Sequence, residues 1–213
     1  MANENGKIQQ LIAHGHPYVE IGGVKWATMN VGAKNVTDPG LYFAWGETKG
    51  YKPEEVGKTK RFTWKNYKFG STAFNFSKYK SVDGLTKLQP EDDPVKVNWR
   101  GNWRLPTQEE FMALMDNASI SEVTLNGVRG VQFADLTYPT NKLFFPYSGY
   151  FYDADNQLHD GGVDTVCWTN SLYSLCGHGS GNYVFIKGDQ HYPLTASHYV
   201  RTGGFSIRGI LSD

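Results

Sequence analysis

Cys167, Cys176, His178, His191 and His198 crowd the last quarter of the chain, and thiols and imidazoles are the residue types that hold zinc or, with a depressed thiol pKa, attack a substrate. The spacing argues against both. Structural zinc sites use tight pairs such as C-x2-C, and none is present. A reactive thiol needs a cationic or metal-bound setting, which nothing beside Cys167 or Cys176 supplies. The run "DADNQLHDGGVD" places Asp153, Asp155 and Asp164 at positions one, three and twelve of a calcium loop. Its sixth position, where a glycine makes the turn, is Leu158, so Asx turns in a solvated hairpin loop are the better account. Ser, His and Asp are plentiful, but no G-x-S-x-G elbow anchors a triad. "GHGSGN" (177–182) lacks the Lys-Ser/Thr ending and following helix of a phosphate loop. No catalytic residue, cofactor or metal is expected.

What remains is contact chemistry. In "SLYSLCGHGSGN" (171–182) apolar residues alternate with glycines at neither the helix nor the strand period. Tyrosine, serine, glycine, asparagine and histidine together resemble the composition of antibody loops, where rings give contact area and small polar groups give adaptable hydrogen bonds. The candidate ligand-binding residues are Leu172, Tyr173, Leu175, His178, Ser180, Asp189, His191, Tyr192, Leu194, His198, Tyr199 and Thr202. Val184, Ile186 and Val200 are expected to face the core, as alternate residues of half-buried strands.

The elements that must carry this surface are only partly marked. "YVEIGGVKWATMNV" reads as a hairpin turning at Gly22-Gly23. In "RLPTQEEFMALMDN", Thr107 and Glu110 form a capping box, Phe111, Leu114 and Met115 an apolar face, and Asn117 a stop. Strand-like runs are "GVRGVQFAD", "KLFFPYSGYFY", "DTVCWTNS", "NYVFIKG" and "GGFSIRGIL". Residues 49–93 are irregular, and residues 1–17 read as a polar lead-in with a helical turn around Ile8 to Ile12. The six tryptophans are expected to be mostly core, Trp64 standing in the irregular segment.

Composition bounds the partners. The 21 Lys+Arg balance the 21 Asp+Glu, so no basic surface for phosphates or anionic lipid is expected. No apolar run has the length of a membrane-spanning helix, and the first residues lack a signal-peptide pattern. That leaves a mature secreted chain, a phage protein released by lysis, or a cytosolic protein.

The elements "GGVKWATMNVGA", "GLYFAWGET", "VNWRGNWRLPTQEEFMALMDN", "LFFPYSGY", "CWTNS" and "GGFSIRG", in that order, resemble the formylglycine-generating-enzyme-like branch of the C-type lectin fold. The resemblance runs from about Tyr18 to the C-terminus and includes a domain of gut-anaerobe surface proteins and the variable proteins of diversity-generating retroelements. It implies an α+β fold with a small twisted antiparallel sheet, two helices and long ordered loops, in residues 18–213, with "YVEIGG" beside "FSIRGI". The enzymes of that branch carry a C-terminal cysteine motif, whereas "GGFSIRGI" has no thiol. The sugar-binding lectins hold calcium through motifs of which only "WTN" (168–170) remains. In the variable proteins, adenine-directed rewriting near the 3′ end randomises ligand-contacting residues. Asparagine codons mutated at their first two bases cannot yield Lys, Glu, Gln, Met or Trp. Those five types make up 2 of the 45 residues from Thr169 to Asp213 but 39 of the preceding 168. The expectation is a non-enzymatic receptor- or adhesin-type domain whose variable face, about residues 169–203, meets a protein or glycan on another cell or host. An invariant adhesion or carbohydrate-binding domain is the alternative, and a formylglycine-generating-like enzyme is the third reading, behind both. The expected location is extracellular, cell-surface or virion-borne.

Overall fold

A computed structural model of the chain describes residues 11–173, 179–187 and 194–213. Three strands open the fold: β1 (Leu11–Ala13), β2 (His16–Ile21) and β3 (Val24–Asn30). The turn between β2 and β3 is at Gly22-Gly23, both with positive φ (57° and 78°), the geometry of a tight two-residue hairpin. An irregular stretch follows, broken by β4 (Gly70–Thr72) and β5 (Asn75–Phe76), then α1 (Pro94–Trp99), β6 (Trp103–Arg104) and α2 (Gln108–Asp116). A meander comes next: β7 (Ala118–Leu125), β8 (Val128–Asp135) and β9 (Lys142–Pro146). The chain closes with the small hairpin β10 (Tyr150–Phe151) and β11 (Leu158–His159), the sheet β12 (Asp164–Leu172), β13 (Ser180–Lys187) and β14 (Leu194–Val200), and finally β15 (Arg208–Leu211).

This is a mainly β protein, 45% strand and 12% helical, which corrects the α+β class expected from sequence. In place of one small sheet with long loops there are several small antiparallel sheets and a curled half-barrel. The physical reason lies in strands without an alternating signature. β7 is largely exposed on both faces and takes its register from a complete ladder with β8, not from burial. Residues 11–17, read as a lead-in with a helical turn, are instead β1 and the start of β2, paired Leu11 to Tyr18. The five-stranded sheet runs β1-β2-β3-β15-β6, so "FSIRGI" lies next to β3, with "YVEIGG" one strand farther out.

Local signals that were explicit in the sequence did form. The Thr107 Oγ1 accepts from the Glu110 amide at 3.2 Å, and the Glu110 carboxylate accepts from the Thr107 amide at 2.7 Å. Arg104 grips the same carboxylate through two nitrogens, holding α2 against β6. Phe111 and Leu114 are buried.

Aromatic rings fill the interior. Trp26, Trp45, Trp103 and Trp168 are fully buried, while Trp64 and Trp99 are half-buried. The irregular stretch contributes Phe62, Tyr67, Phe69, Tyr79 and Leu88, which explains how so long a segment keeps its shape with little regular structure. Two arginines are also wholly buried. Arg208 donates to Asn30 Oδ1 (2.8 Å), the Ala27 carbonyl (2.9 Å) and the Phe144 carbonyl (3.1 Å), tying β15 to β3 and β9. Burial pushes its pKa down to about 10.

Candidate functional site

The sheet β12-β13-β14 is where the candidate residues fall, and its register sorts them. Val184 and Ile186 are buried on the side facing α2 and the β7-β8-β9 meander, as their alternation requires. Val200 is half-buried. Across the ladder, Asn182 opposes His198 and Tyr183 opposes Ser197, so neighbouring pairs project to opposite faces.

At one end of the sheet the Tyr173 ring stacks on the His198 imidazole, with centroids 3.7 Å apart and planes 7° from parallel. These two line a shallow recess of about 250 Å³ with Gln108, Asn182, Ala196 and Ser197. Gln108 is the first residue of α2, whose amide donates to Ser171 Oγ at 3.3 Å, so the helix fixes one wall of the recess. Thr195, Ser197 and His198 are exposed along β14.

The other described candidates lie elsewhere. Leu172 and Leu194 are buried and serve the sheet as anchors, the Leu172 amide donating to the Thr86 carbonyl at 2.8 Å. Thr202 is fully buried and donates to Asp153 Oδ2 at 3.1 Å. The Tyr199 hydroxyl donates to Asp153 Oδ1 at 2.9 Å, which places this tyrosine beside the β10–β11 hairpin and apart from the Tyr173–His198 pair. Its phenol pKa is raised, first by burial and then by the Asp153 carboxylate. Ser180 is half-buried opposite Val200. Leu175, His178, Asp189, His191 and Tyr192 lie outside the described residues.

The scaffold beneath is rigidly specified. Trp45 Nε1 donates to the Thr169 carbonyl (3.0 Å) and Trp168 Nε1 to the Phe43 carbonyl (2.8 Å). The Arg201 guanidinium lies between the rings of Trp45 and Phe76, 5.2 and 4.4 Å from their centroids, and donates to the Lys78 carbonyl at 3.3 Å and the Tyr79 carbonyl. It clamps the end of β14 onto the irregular stretch.

Gln108 and Asn182 are site residues that the sequence reading did not single out, and Asp153 enters it only as a calcium-loop position. Asn182 stands in a run that reads as strand, and Asp153 stands in the apparent calcium loop. In the structure Asp153 accepts from two hydroxyls, and Asp155 accepts from the Gln157 amide and faces His159 Nε2 at 2.9 Å. Among the described residues no three His, Cys, Asp or Glu side chains are grouped to hold a metal ion. Cys167 is fully buried, and burial pushes its thiol pKa up, away from the thiolate.

No protein-family model, curated protein or solved structure matches the chain. Among the described residues, no helix is long and apolar enough to cross a membrane.

Proposed function

We propose that this chain is a non-enzymatic, receptor- or adhesin-type binding domain that meets a protein or glycan ligand through its C-terminal sheet, and that the exposed positions of that sheet are diversified by a retroelement. The observation that carries this reading is the division of labour within residues 169–203. Leu172, Val184, Ile186, Leu194, Arg201 and Thr202 are buried, whereas Thr195, Ser197 and His198 are exposed along β14, the last two lining the recess. Buried positions that lock the sheet, interleaved with exposed ones along β14, allow side chains to change without unfolding it, and a pre-formed surface limits the entropy lost on binding. The resemblance to the formylglycine-generating-enzyme-like branch and its retroelement variable proteins, the depletion of Lys, Glu, Gln, Met and Trp after Trp168, and the buried, protonated Cys167 support the same reading.

The test is to sequence the gene's 3′ end and its downstream flank in several isolates. The expected result is a nearby near-copy differing at adenines, with changes confined to codons for residues about 171–202 and sparing the buried positions. A constant tail with no such copy overturns the diversification, leaving an invariant adhesion or carbohydrate-binding domain.

A further inference from the structure

The outer side of the β10–β11 hairpin is built unlike the rest of the surface. Tyr150 opposes His159 in register, and Phe151, the residue between Tyr150 and Tyr152, is buried and bonded through its backbone to Gly204. Alternation therefore sends Tyr150, Tyr152 and His159 to the same side, where the Tyr150 ring also meets the buried Phe205 edge-on. Their rings form a chain that Tyr199 of β14 extends: centroid separations are 5.8 Å for Tyr150–His159, 5.7 Å for Tyr152–His159 and 5.8 Å for Tyr152–Tyr199. Tyr152 is 38% exposed, behind only Phe74 and Tyr138 among the described Phe, Tyr and Trp residues.

Carboxylates crowd these rings, with Lys187 opposite Asp164 in register and Arg61 next to Phe62, whose amide donates to Asn156 Oδ1 in the hairpin loop. Between Lys142 and Lys187 the chain carries no lysine or arginine, yet it carries Asp153, Asp155, Asp160 and Asp164. Asp155 faces His159 and Asp153 is taken by Tyr199 and Thr202. Asp160 and Asp164 have no ion-pair partner among the described residues. Arg129 reaches the Gly162 carbonyl nearby, but its charge is committed to Glu122 at 2.8 Å. Burial, and then the Asp160 charge, raise the Asp164 pKa, with Lys187 opposing. A neutral sugar would leave that repulsion unrelieved, and an anion would worsen it. A cation relieves it and also gains the attraction of ring faces, about 0.5–1 kcal/mol at an exposed site. The protein already makes one such contact at the patch edge, where Lys187 Nζ lies 4.9 Å from the centre of the Phe185 ring.

We propose that the outer face of the β10–β11 hairpin, Tyr150, Tyr152, His159 and Tyr199 edged by Asp160 and Asp164, receives a lysine or arginine side chain of a protein partner. This rests on the reading of the chain as a contact-binding domain and names the chemistry of one contact. It lies, apart from Tyr199, outside the segment of proposed diversification.

The test is a nuclear magnetic resonance titration of the full chain at pH 8 with hexalysine, hexaglutamate and maltohexaose. Hexalysine is expected to shift the side-chain signals of Tyr150, Tyr152 and His159. Binding should weaken about two- to fivefold in the Asp160→Asn/Asp164→Asn double variant and similarly in Tyr152→Ala, the loss of one such contact. It should also weaken in 0.5 M salt. Asp160 and Tyr152 are exposed and Asp164 is half-buried, and both variants should keep the wild-type circular dichroism. Equal hexalysine binding by wild type and the double variant, shifts confined to other surfaces, or no shift at all overturns the assignment. So does maltohexaose shifting the same signals. If hexalysine fails while isolates vary at residues 171–202, only this contact falls. If hexalysine binds and the tail is constant, the contact stands and the diversification falls.

Discussion

Tyr173 and His198 lie face to face at 3.7 Å although they belong to different strands' ends, because the β13–β14 ladder brings His198 opposite Asn182 while Tyr173 follows directly on β12. The stack has the shortest ring separation among the described aromatic pairs. Aromatic pairs contribute about 0.5–1.5 kcal/mol beyond their buried area. A double-mutant cycle of Tyr173→Ala and His198→Ala, read by urea denaturation, should therefore give a coupling energy of about that size. A coupling indistinguishable from zero would mean that the pair meets without stabilising the recess wall.

Gly181 shows why the proposed variable segment is not free to vary everywhere. A Cβ there would come within 2.6 Å of Trp45 Cδ1. The indole cannot retreat, since it is fully buried, bonded to the Thr169 carbonyl and covered by Arg201. Gly181→Ala should cost about 1–3 kcal/mol, the usual penalty of overpacking. Chemical denaturation of the variant measures this directly. In isolates whose tails differ, residue 181 should remain glycine. An alanine variant of wild-type stability would show that the indole has room to move.

How much of this was legible in the sequence depends on whether a signal was local. The Gly22-Gly23 turn and the Thr107–Glu110 box involve residues at most three apart, and each is where the residue types place it. The mainly β class was not legible, because "ASISEVTL" and "LTASHYV" expose polar residues that carry no strand alternation; pairing with β8 and β13 makes them strands. The Asn126-Gly127 pair, with φ of 50° and 81°, is the one local mark of the β7–β8 hairpin. The recess was only half visible. Tyr173 and His198 have telling residue types, but Gln108 reaches them from a helix distant in sequence. Leu172, Leu194 and Thr202 have the types of a contact surface, and only the tertiary fold shows them beneath it.

Asp135 links two elements in a way that pH can expose. Its carboxylate accepts from the Gly22 amide at 2.8 Å, the Tyr138 amide at 2.6 Å and the Thr137 amide at 2.9 Å, joining the β2–β3 turn to the end of β8. The Gly22 and Tyr138 amides lead in holding its pKa below the ordinary carboxylate value. A depressed folded-state pKa means stability that is complete above the unfolded value, near 4, and lost as pH falls through the lower folded one. Thermal melts from pH 5 to pH 2 should fall more steeply for the wild type than for Asp135→Asn. At pH 7 the variant should be less stable by about 1–3 kcal/mol, the cost of weakening hydrogen bonds to a charged acceptor. Parallel acid profiles would remove Asp135 as a determinant of acid stability.

The alkaline limb should be set by buried phenols. Tyr42, Tyr67, Tyr79, Tyr147 and Tyr199 all have raised pKa values, with burial the leading cause in each. Their hydroxyls donate inward, Tyr67 to the Trp45 carbonyl at 2.8 Å and Tyr79 to Asp92 Oδ2 at 2.7 Å. In the unfolded chain a tyrosine releases its proton near pH 10, while the folded protein retains it. The stabilisation from these groups is thus complete below about pH 10 and is lost as pH rises toward the higher folded values. For the deeply enclosed Tyr42 and Tyr67 the loss is about 1.4 kcal/mol per group for each pH unit in that interval. Absorbance at 295 nm, followed alongside far-ultraviolet circular dichroism, should show a late group of tyrosines ionising together with the loss of structure. Complete ionisation of every tyrosine while the dichroism stays native would contradict the burial of these rings. Tyr67→Phe should then soften the dependence above pH 10 but lower stability at pH 7, because the Trp45 carbonyl loses its donor.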